Sequence, residues 1–173
     1  MSDSPGRYTV SISTMETEMA YRIEGLDPAP YVPLFALTDA ELEERQARQV
    51  TADGRPAFPC RATLEDAGAG ERLILVNHVS HDVAGPFRSS FAIYVRESAE
   101  RPAVFRDTLP PVFATRTLTL RAIDGDGMLV DAVLVPGADA DAAIRRLFGN
   151  PHIAQIHAHY AAPGCFAAKI VRD

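Results

Sequence analysis

The sequence predicts an α+β fold, a mostly antiparallel β-sheet with two main helices packed on one side, and three observations predict it. Residues 115–123 and 129–135 alternate polar and apolar side chains around Asp124-Gly125-Asp126-Gly127, the pattern of a β-hairpin. Residues 140–148 instead place Ala140, Ala143, Ile144, Leu147 and Phe148 in one apolar stripe at helical spacing. Further strand-like runs accompany only two well-marked helices, too few crossovers for a doubly wound parallel sheet. With 173 residues, no internal repeat and no linker-like segment, the chain is expected to form one domain over 1–173, frayed over 1–18.

In chain order, residues 21–23 read as a short strand closed by Gly25 and the extended Asp27-Pro28-Ala29-Pro30. A surface helix over 39–48 follows. Thr38 and Glu41 have capping-box spacing, Leu37 can pack on Leu42, and Glu41–Arg45 and Glu44–Arg48 are i,i+4 pairs of the favourable orientation. Residues 52–59 form a turn-rich loop. Leu73-Ile74-Leu75-Val76, within 72–79, is a short apolar run that fits a strand buried on both faces. Residues 91–96 set Ile93 and Val95 opposite Tyr94 and Arg96 on another strand. After the hairpin, Asp139 is placed to cap the second helix, which Gly149 and Pro151 stop. Two last strands, 153–160 and 166–171, flank the turn Ala161-Ala162-Pro163-Gly164.

Composition narrows the function classes. A net charge of −6 argues against a nucleic-acid partner, which needs clustered cations to displace counterions. Residues 1–14 lack a basic stretch followed by an apolar run, and no segment approaches the roughly 20 apolar residues of a membrane span. A cytoplasmic location without a membrane partner is therefore expected. In a reducing compartment Cys60 and Cys165 stay thiols, although two cysteines also permit one bridge. Lys169 is the one lysine, so the positive charge is almost all arginine, the side chain suited to bidentate contacts with carboxylate or phosphate.

Gly68-Ala69-Gly70 lacks the third glycine of a dinucleotide loop, no phosphate-binding loop or Cys-x-x-Cys occurs, and Met128 and Val135 stand where a calcium loop needs oxygen ligands. No cofactor is thereby named. His157 and His159 share one face of a strand, with Ile156, Ala158 and Tyr160 on the other. Such a pair can ligate a metal, with Cys165 as a third ligand, or lie on a hydrogen-bonded strand face. Cys60 beside Arg61, or Cys165 after its turn, can act as a nucleophile with a histidine base, or as a small core hydrophobe. Arg61, Arg88 and Arg96 can line an anion pocket or pair with nearby acids such as Glu65, Asp66 and Glu97.

These residues carry a resemblance. Pro59-Cys60-Arg61 through Leu64-Glu65-Asp66-Ala67 to Gly70-Glu71, then Pro86-Phe87-Arg88-Ser89-Ser90 through Ile93-Tyr94-Val95-Arg96-Glu97, then Arg146-Leu147-Phe148 through Ile156-His157-Ala158-His159 to Pro163-Gly164-Cys165-Phe166 resemble the family of domain of unknown function 1203. The similarity runs from about Tyr21 to Arg172. It departs from the family pattern at Phe91-Ala92, where Gly-Pro is usual, and at Tyr160, where Asn is usual. The resemblance implies a bacterial cytoplasmic protein but no activity, cofactor or catalytic residue.

The resulting expectation is a domain that binds a small anionic molecule, or a peptide, through Cys60, Arg61, Arg88, Arg96, His157, His159 and Cys165. One alternative is a metal- or thiol-dependent enzyme using His157, His159 and Cys165. Another is a homodimeric interaction module paired through an edge strand.

Overall fold

The computed structural model describes residues 19–173, so the fraying expected over 1–18 and the reading of 1–14 lie outside the described residues. The α+β expectation holds, with the strands divided between two antiparallel sheets. Six strands form the larger sheet: β1 (Tyr21–Glu24), β5 (Val104–Arg106), β6 (Thr117–Asp124), β7 (Leu129–Pro136), β8 (Ile153–Tyr160) and β9 (Phe166–Arg172). Their spatial order is β5-β1-β9-β8-β6-β7. The smaller sheet runs β2 (Ala47–Thr51), β3 (Arg72–His81), β4 (Ser89–Arg96).

The larger sheet buries one face against α3 (Ala140–Phe148), whose Ala140, Ala143, Ile144, Leu147 and Phe148 are all buried, as the stripe predicts. They pack with Leu118, Leu120, Ile156 and Ala158, and each large side chain so removed from water contributes roughly 1.5–3 kcal/mol. Asp139 makes no cap bond, because a 3-10 turn, Gly137–Asp139, leads straight into the helix. The β6–β7 turn is organised by the Asp124 carboxylate, which accepts the N–H groups of Asp126 and Met128 at 3.0 and 2.9 Å, with Gly127 at φ 81.

The smaller sheet forms a second core of Tyr31, Leu42, Ile74, Val76, Ile93 and Val95. On β3, Leu73, Ile74 and Val76 are buried, while Leu75 is half-buried because it borders a cavity. Leu42 belongs to α1 (Asp39–Glu44), which opens with the expected capping box: Glu41 N–H donates to Thr38 Oγ1 and Thr38 N–H to Glu41 Oε2. Thr38→Ala should lower stability by about 1 kcal/mol, read as a lower urea midpoint at unchanged slope.

The helix expected over 39–48 ends at Glu44. Gln46 turns to φ 53, and Ala47 pairs with Val76 as β2 begins, so strand pairing overrides the helical charge pattern. Arg45 donates to the backbone carbonyl of Glu41 instead of its carboxylate. Short elements not anticipated from sequence are a 3-10 turn over Val32–Ala36, β2, β5 and α2 (Pro111–Ala114). Among the described residues no helix is long and apolar enough to cross a membrane.

Candidate functional site

Residues 60–62 run through the seam between the two sheets. Arg61 N–H donates to Tyr94 O on β4 at 2.8 Å, and Arg61 O accepts from Leu26 N–H, just beyond β1, at 2.7 Å. Ala62 O accepts from Ala103 N–H at 2.8 Å. This backbone clamp fixes the Arg61 side chain, which is only 3% exposed. Its Nε donates to Phe166 O at 2.9 Å and its Nη1 to Pro59 O at 2.5 Å. No described carboxylate pairs with it. Burial pulls its pKa down, and nearby Tyr160, Cys165 and Cys60 oppose that shift. A guanidinium nevertheless stays protonated in proteins.

Arg61 borders an open cavity of about 660 Å³ lined by the loop at Pro56 and Pro59, the start of β6, the β8–β9 turn, and Leu75, Ala92 and Tyr94 of the smaller sheet. No described Asp or Glu lines it. Tyr160, 4% exposed, has two guanidinium groups over its ring, Arg61 5.0 Å and Arg116 5.2 Å from the ring centre. Arg116 is neutralised by both carboxylate oxygens of Asp66, at 2.6 and 3.0 Å. The Tyr160 hydroxyl has no hydrogen-bond partner among the described residues, and Tyr160 lines the cavity. Burial, opposed by both arginines, pushes its pKa up to about 12, which keeps it a neutral donor. Cys165, half-buried, lines the same cavity.

The other candidates separate. Cys60 is a buried free thiol whose sulfur accepts from Arg96 N–H at 3.4 Å. Arg88 is exposed and paired with Asp82. Arg96 lies between Glu65 and Glu71 at 3.6 and 3.5 Å and donates to Asp66 O. His157 and His159 turn toward the smaller sheet: His157 packs against His81 and His159 against Phe91, and both touch Phe166. His159 Nδ1 faces the Gly164 carbonyl at 3.1 Å, and since a carbonyl only accepts, that nitrogen carries the proton.

The set of His157, His159 and Cys165 weighed as metal ligands is not assembled. The Pro163-Gly164 turn carries Cys165 to the Arg61 cavity while the imidazoles lie between the sheets, and no group of three His, Cys, Asp or Glu among the described residues is placed to hold a metal.

Sequence reasoning missed Tyr160 and Arg116 as site residues. The signal for Tyr160 was its departure from the family pattern; Ala92, a second departure, also lines the cavity, and Phe91 packs on His159. Nothing in the sequence distinguishes Arg116 from the other arginines. A family model described as protein of unknown function (DUF1203) matches residues 57–172. No curated protein and no solved structure matches the chain.

Proposed function

Because the chain belongs to the DUF1203 family, whose matched region holds Arg61, Arg116, Tyr160 and Cys165, we propose that it binds a small organic anion in the Arg61 cavity. The observation that carries this reading is a buried guanidinium without a counter-charge among the described residues, beside a phenol hydroxyl that no described residue pairs, in a cavity that no described carboxylate lines. An uncompensated buried cation is costly, and a carboxylate or phosphate in the cavity would offset that cost. The volume of about 660 Å³ lies within the roughly 300–1,000 Å³ of small-molecule pockets, which favours a metabolite over a peptide. Arg61 would pair with the anionic group, and Tyr160 would donate to it.

A panel of carboxylates and phosphate monoesters tested by thermal shift is expected to contain ligands that raise the melting temperature. Arg61→Met should weaken their binding about ten- to hundredfold, the equivalent of roughly 1.5–3 kcal/mol for a charged hydrogen bond. Shifts that survive Arg61→Met, or a panel without any shift, would overturn the reading. The thiol of Cys165 in the same cavity favours a second reading, thiol chemistry on the bound anion. In that case Cys165→Ala keeps the ligand-induced shift and loses turnover.

A further inference from the structure

A second, smaller cavity of about 110 Å³ lies between the sheets, and His81, Ser89, Arg121, His157 and His159 line it. A single water needs roughly 10–15 Å³ of such space, so a polyatomic group has room here. Three features mark what that group is. The Arg121 side chain makes no hydrogen bond or ion pair with any described residue. His157 is 3% exposed, lines the cavity and makes no hydrogen bond with any described residue. No described Asp or Glu lines the space.

We propose that this cavity binds a small inorganic oxyanion of the phosphate or sulfate class, held by Arg121, His157 and Ser89, and that binding takes up a proton. A guanidinium, an imidazole free to turn an N–H inward and a hydroxyl are the donors such an anion requires. The proton follows from the neighbouring rings. His81 Nε2 hydrogen-bonds Gly127 O at 2.8 Å, and His159 spends its Nδ1–H on Gly164 O, so the neutral His159 ring keeps a bare nitrogen that a bound anion favours protonating. The charged and titratable groups facing His157 are His81 from β3, Arg121 from β6, His159 from β8 and Lys169 from β9, with no carboxylate among them. Desolvation first, and then the electrostatic influence of these neighbours, holds His157 down at about 3. An anion in contact reverses the electrostatic part of that effect.

The test uses the Arg61→Met chain, so that the larger cavity stays silent, titrated calorimetrically with sodium sulfate against chloride at equal ionic strength. Saturable sulfate binding is expected, weakened about tenfold or more by Arg121→Met and largely kept by Arg121→Lys. Sulfate keeps its double charge over the range, so tighter binding from neutral pH to about pH 5 would report a proton taken up by the protein. Absence of saturable binding, equal affinity in Arg121→Met, or affinity indifferent to pH would overturn the proposal. Ligand-induced shifts at Arg61 are measured in the unmodified chain, so either site can fail without the other.

Discussion

Gly25→Ala is expected to destabilise the fold by roughly 3 kcal/mol or more, enough to leave a large fraction unfolded in a domain of ordinary marginal stability. A methyl group there would sit 2.0 Å from the carbonyl oxygen of Ala62 and 3.1 Å from the amide nitrogen of Ala103. Both are backbone atoms, and neither can move alone. Gly25 N–H donates to Ala103 O, Ala103 N–H to Ala62 O and Leu26 N–H to Arg61 O, so relieving the clash breaks the strand-like seam that holds Arg61. Urea unfolding measures the loss, with Gly85→Ala as the control, since nothing lies within 4 Å of a methyl group there. The control should stay within about 0.5 kcal/mol of the parent. If Gly25→Ala behaves like Gly85→Ala, the close packing of residues 25 and 62 is wrong, and with it the account of how Arg61 is placed.

Acidification should give the second large effect. Burial first, with Arg121 and other neighbouring groups adding to it, pushes His157 down to about 3 and His159 to about 4. Both values lie below the ordinary histidine pKa near 6.5, so protonation favours the unfolded chain. Stability is therefore full above about pH 6.5 and falls as pH drops toward the folded-state values, by roughly 6 kcal/mol for the pair at about pH 4. Surface carboxylates titrate mostly below about pH 4.5, which leaves the window from 6.5 to 4.5 to the histidines. Urea midpoints across that window measure the decline, and His157→Phe, which keeps a ring among His81, His159 and Phe166, should flatten it. Equal acid limbs in the two proteins would show that His157 is not held neutral by the fold.

What the sequence determined by itself is local. The capping box of Thr38 and Glu41, the Asp124 to Gly127 turn, the apolar stripe of α3 and the shared face of His157 and His159 each rest on residues a few positions apart. Hydrogen-bond reach and side-chain periodicity decide such features before any long-range contact forms. The end of α1 at Glu44 was not legible, because pairing of Ala47 with Val76 across the sheet overrode a good helical charge pattern. The candidate site divided in the same way. Cys60, Arg61, Arg88, Arg96 and Cys165 were all legible as reactive or charged types, but only tertiary structure buried Arg61 without an acid, paired Arg88 with Asp82, and set Arg96 between Glu65 and Glu71. It also put Tyr160 under two arginines and split the histidines from Cys165. Burial and counter-charge are properties of neighbours contributed by distant segments, and a guanidinium has the same chemistry in the sequence whether its partner is a carboxylate, water or an empty cavity.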